Sequence, residues 1–128
     1  MKNLLLLLII FCLVSITGCR KENFNKKCSE LSDAMQADNV SDAGNAITWF
    51  INKLPSKTYN EENLNKLVAS LPGNCSYSAT LICFSCIQTL PEQSEIMITY
   101  NSGSSTHQKI FDISYTADNK MKFVNMHN

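Results

Sequence analysis

At Gly73 the rhythm of apolar residues changes, and the change confines the chain to helices followed by strands. Before it, Phe24, Cys28, Leu31 and Met35 recur at spacings of four, three and four, which is one stripe of a helix over about 23–36. Ser41 or Asp42 stands ready to cap a second helix bearing Ala43, Ile47, Phe50, Ile51 and Leu54, with Pro55 as its stop. Thr58 and Glu61 are in capping-box relation ahead of a third. It carries Leu64, Leu67, Val68 and Leu71 and is expected to end at Pro72-Gly73-Asn74.

Beyond Gly73, β-branched and aromatic runs cover 78–90, 94–100, 109–116 and 120–126. Ile96, Ile98 and Tyr100 alternate with Glu95, Met97 and Thr99, and Phe111, Ile113 and Tyr115 alternate with Asp112 and Ser114. Each of these strands therefore has one buried face. Short turns at 91–93, 101–106 and 117–119 favour antiparallel neighbours. The predicted fold class is α+β: about three N-terminal helices packed on one face of a C-terminal antiparallel β-meander of three to four strands.

A chain of 128 residues, 45% of them hydrophobic, makes one packed domain. Collagen-like, coiled-coil and low-complexity readings are excluded. Eleven basic against eleven acidic side chains give no electrostatic reason to expect nucleic acid as a partner.

The first residues are of another kind. Lys2 precedes an unbroken apolar run, Leu4 to Val14, and then the small or neutral residues Ser15-Ile16-Thr17-Gly18. These are the regions of an export signal. Eleven residues make a helix of about 16 Å, roughly half the thickness of a bilayer's hydrocarbon core, so the run is not a spanning anchor. Ile16-Thr17-Gly18-Cys19 resembles the lipobox of bacterial lipoproteins, an aliphatic residue and two small ones before a cysteine. The resemblance covers only the signal. It implies cleavage before Cys19 and attachment of diacylglycerol and further acyl chains such as palmitate to that residue. An ordinary secretory signal would leave Cys19 a thiol, and the lipobox spacing speaks against it. Several acyl chains hold a protein on a membrane essentially permanently.

In such lipoproteins an aspartate after the lipidated cysteine marks retention at the inner membrane, and here Arg20 takes that place. The expected location is the outer membrane, facing periplasm or surface. The chain then divides into a signal peptide (1–18), a lipidated tether (19–27) and a single small α+β domain (28–128). Arg20, Lys21, Lys26 and Lys27 make the tether basic, suited either to solvent or to anionic head groups.

Cys12 leaves with the signal and Cys19 takes lipid, so Cys28, Cys75, Cys83 and Cys86 remain as disulfide candidates. On a continuous strand Cys83 and Cys86 would lie on opposite faces, roughly 10 Å apart, whereas bridged α-carbons lie within about 7 Å. The expectation is that they bond elsewhere, one to Cys28 and the other to Cys75, unless a bulge or turn breaks the strand. Cys-x-x-Cys also marks thiol-disulfide oxidoreductases, which place the first cysteine at a helix N-terminus near cations. Apolar flanks and no basic residue within ten positions speak against that here, and two scattered thiols beside one close pair lack the spacing of a zinc site.

No metal or other cofactor is expected. His107, Asp112 and nearby serines supply the residue types of a triad, without the strained elbow that a nucleophile needs. His127, at the end of the chain, reads as solvated. Trp49 points some 135° from the apolar centre of its helix at 100° per residue, among Asn45, Asn52 and Lys53. Either it is an exposed anchor for a partner or a second element covers it. The expectation is thus a membrane-anchored lipoprotein with no enzymatic role. It would bind a protein in the cell envelope through Trp49, Asn45, Asn52 and Lys53, with the 101–107 loop, for example as an immunity or inhibitor protein against a toxin or hydrolase. The alternative is an exported thiol-disulfide oxidoreductase using Cys83 and Cys86.

Overall fold

The computed structural model describes residues 23–86 and 92–128. The signal 1–18, Cys19, tether residues 20–22 and the 87–91 part of the first expected strand and turn lie outside the described residues. Helix α1 covers 23–36, α2 Val40–Lys53 and α3 Glu61–Asn74. Four strands follow: β1 Ser78–Cys83, β2 Ser94–Ser102, β3 Ser105–Tyr115 and β4 Met121–His127. They pair antiparallel in the order β1-β2-β3-β4, the expected meander.

The inner face of the sheet carries Leu81, Ile96, Phe111 and Met126 in one cross-strand row and Ala79, Ile98 and Lys109 in the next. Leu31 and Met35 of α1, Ile47, Phe50 and Ile51 of α2 and Leu64, Leu67 and Leu71 of α3 close over it as one core. The predicted stripes are therefore the buried ones, with Phe24, Leu54 and Val68 half-buried at their margins. The other face, with Met97, Thr99 and Gln108, is not covered by the helices.

The helix caps differ from expectation for a local reason. Asp38 adopts φ 53°, and Asn39 N–H and Asp38 N–H donate to Ala34 O (2.9 Å) and Met35 O (3.4 Å). That is a Schellman ending, with aspartate where glycine is usual. Asn39 ends α1 and at once caps α2, its Oδ1 accepting from Asp42 N–H at 3.1 Å, so neither Ser41 nor Asp42 is the cap. Asn60 caps α3 in the same way, accepting from Asn63 N–H at 2.8 Å, in place of the Thr58 and Glu61 box. α3 continues through Pro72 and Gly73 to Asn74, where Cys75 N–H donates to Leu71 O.

Two cysteine pairs are bridged, Cys28 to Cys75 and Cys83 to Cys86, with Cα separations of 5.3 and 5.6 Å. The second corrects the expectation that Cys83 and Cys86 bond elsewhere. β1 shifts register between Leu81 and Cys83 and ends there, and Ser85 turns the chain with φ 53°. β1 therefore stops before Cys86, and the two cysteines do not share a continuous strand. The 101–106 loop is also shorter than expected. β2 and β3 pair as far as Ser102 and Ser105, and Gly103, φ 63°, takes the first turn position, where a two-residue II′ hairpin needs a positive φ.

Gly44 marks where α2 meets β4: a Cβ there would lie 2.6 Å from the Phe123 ring. Gly44→Ala is expected to destabilise the domain by about 1–3 kcal/mol through overpacking. Urea unfolding checks this, and Phe123→Leu in the same chain should return part of the loss.

Candidate functional site

The Cys83–Cys86 turn is held from beneath. Buried Ser94 shares a hydrogen bond with Tyr59 Oη (2.8 Å) and accepts from Ser85 N–H (3.3 Å), while Cys86 N–H donates to Gln93 O (2.9 Å). Tyr59 lies against both Phe84 (5.6 Å) and Tyr115 (5.2 Å), and these two rings are each 37% exposed. Cys83 ends a strand instead of opening a helix and faces Glu95 across the ladder, and Ser85 Oγ donates to Glu92. Carboxylates beside a thiol oppose formation of the thiolate.

Trp49 is half-buried, so the expectation of a free anchor is corrected in favour of its alternative. Phe24 of α1 meets its ring edge to face at 5.1 Å, Phe50 does so at 5.2 Å, and Lys53 Nζ lies 5.1 Å from its centroid. Asn23, Phe24, Trp49 and Lys53 line a cleft of about 300 Å³. Asn45 and Asn52 are exposed, and Asn45 opens toward another groove.

That groove, about 790 Å³, runs between α2 (Val40, Gly44, Asn45) and β4 (Lys122, Phe123, Val124). β4 is an edge strand, and residues 57–59 already lie on the start of its outer edge. Met121 N–H donates to Lys57 O (2.7 Å) and Tyr59 N–H to Asn119 O (2.9 Å). The bridge between Thr58 and Lys120 goes no further, leaving the outer edge of 122–127 without a strand beside it; the edge bulges at Val124 (41% exposed) and is flanked by Val40 (37%). Exposed Lys57, Lys120 and Lys122 border this edge, and among the described residues none has a carboxylate within salt-bridge distance.

A comparison of the chain with known proteins adds no family to this geometry. It matches no family model, no curated protein and no solved structure.

His107 and Asp112 are not brought together. His107 stacks on Tyr100 (5.6 Å) on the inner side of β3, while Asp112, of opposite parity, points outward. Asp112 instead receives His127 Nε2 at 3.2 Å. Among the described residues no cluster of metal-ligating side chains forms.

Sequence reasoning missed Lys109. It is a buried lysine on the inner face whose ammonium donates to Asp38 and to Asn128 Oδ1. Its phase with Phe111 and Ile113 was the available signal. The left-handed Asp38 of the α1 ending thus supplies the counter-ion for a charge under the helices. Asp38→Ala should cost about 1 kcal/mol by denaturant unfolding, because it removes a largely exposed carboxylate from a buried lysine that keeps Asn128 as a partner. Lys109→Met, which removes the charge and keeps the stem, should cost less.

Burial alone would lower the His127 pKa, but hydrogen bonding to Asp112 and Asn128, with the charges of Asp112 and Glu95, raises it above the ordinary 6.5. A raised histidine contributes stability in full below its unfolded pKa and loses it as pH rises through the folded value. NMR titration of His127 is expected to show a midpoint above 6.5 that falls in Asp112→Asn.

Proposed function

We propose that the chain is a lipid-anchored bacterial lipoprotein, acylated on Cys19, whose domain is a non-catalytic binding module in the cell envelope. Its partner is a protein that adds an extended segment to β4. The observation that carries this reading is the open edge of β4 beside the α2 groove. The chain itself makes only an isolated bridge there, Thr58 to Lys120, with two backbone hydrogen bonds around it. An edge strand offers unpaired N–H and C=O groups to a second chain, and an adjacent apolar groove selects its side chains. Exposed Val40 and Val124 suit an apolar residue, and Lys57, Lys120 and Lys122, none of them in a salt bridge among the described residues, suit acidic flanks. An immunity or inhibitor protein that intercepts a toxin or hydrolase at the membrane fits this size and build.

A photoreactive amino acid at Val124 should cross-link a discrete protein partner in the intact envelope, while the same probe at Gln108, on the uncovered face, should not. Val124→Asp should weaken binding of that partner at least tenfold with unfolding unchanged. Equal yields from the two positions, or none from Val124, would contradict the reading.

One observation favours a second reading, an exported thiol-disulfide oxidoreductase: Cys83 and Cys86 are bridged to each other in a surface turn. The neighbouring carboxylates weigh against it. Rapid alkylation of a single thiol in the folded, mildly reduced protein near neutral pH would support the enzyme, and slow reaction of both would leave the binding module.

A further inference from the structure

The Trp49 cleft is not used by the β4 edge, and its position relative to the start of the chain gives it a partner. We infer that the cleft lined by Asn23, Phe24, Trp49 and Lys53 rests on the head-group layer of an anionic bilayer and sets the domain's orientation there. This rests on lipidation of Cys19. Asn23 lines the cleft and is four residues from Cys19, and four residues span at most about 14 Å. An acylated Cys19 therefore keeps Asn23, on the rim of the cleft, within about 14 Å of the membrane surface.

The chemistry of the cleft suits that place. Tryptophan with a lysine beside it prefers the boundary between water and lipid, where the indole meets the glycerol region and the ammonium reaches the phosphates, and the neighbouring Phe24 adds apolar surface. Trp49 is held upright between Phe24 and Phe50, ring edges to faces, with Lys53 Nζ over it. Exposed Lys26 stands one turn along α1. Arg20 and Lys21 lie in the intervening segment against Glu22, so positive charge gathers where anionic lipid attracts it. Trp49 is half-buried, so the part of the indole that Phe24, Phe50 and Lys53 leave uncovered is what meets the bilayer.

Trp49 is the sole tryptophan of the chain, so its fluorescence reports on the cleft alone. The full lipidated protein, purified in detergent, is reconstituted into vesicles of phosphatidylethanolamine and phosphatidylglycerol, with and without brominated acyl chains. The expected result is flotation with the vesicles, a blue-shifted emission, at least twofold quenching by the brominated lipid, and protection from iodide. Lys26→Gln with Lys53→Gln should reduce the quenching while flotation persists. A protein that floats but keeps an unquenched, iodide-accessible Trp49 overturns the inference and leaves the anchor standing. A blue-shifted emission without bromolipid quenching would report only the packing of Trp49 within the protein and overturns it as well. Failure to float overturns the anchor and this placement with it.

Discussion

The Cys28–Cys75 bridge is the constraint on which the arrangement depends. It joins the first helix to the residue that caps the third, 47 positions later, and so closes the whole helical layer on itself before the sheet begins. A loop of that length loses chain entropy in the unfolded state worth about 4 kcal/mol by the loop-closure relation, a large share of the stability of a small domain. Two residues past the bridge, Tyr77 Oη donates to Cys28 O at 2.5 Å, and β1 starts at the next residue. The strand that opens the meander is thereby delivered to the edge of the sheet beneath α3. If Cys19 is acylated, the same bridge ties the membrane-proximal helix to the sheet.

Periodicity showed the stripes of all three helices, the alternation of β2 and of β3 as far as Ile113, and the order of helices before strands, but not the end of β3, where Ser114 is buried and Tyr115 exposed. The misread positions are those where a local rule competes with a distant partner. Asn39 and Ser41 are both good caps, and the choice depends on α1 ending in a left-handed Asp38, whose carboxylate is drawn to Lys109 seventy-one positions on. The Cys83–Cys86 bridge depends on Ser85 leaving the strand, and Ser94, nine residues away, holds that turn. Lys109 was phased as a core residue, but its charge hid that until its partners were known. Trp49 was legible as off the apolar stripe, while its cover, Phe24, belongs to another helix.

The candidate surfaces follow from how the layers close. Helices cover the inner face of the sheet. β4 remains an edge because the 57–59 segment bridges only to residues 119–121 at its start. The cleft around Trp49 lies where α1 and α2 meet at the start of the described chain. One surface offers backbone groups with lysines and the other aromatic rings with lysines.

The most direct test is a peptide map of membrane-extracted native protein, alkylated without reduction and read by mass spectrometry. The account predicts a blocked, acylated Cys19 as first residue, one cross-linked peptide pair joining Cys28 to Cys75, and an internal Cys83–Cys86 bridge. Cys28 joined to Cys83 or Cys86 would contradict the closed helical layer, and an unacylated Cys19 would remove the membrane from the account.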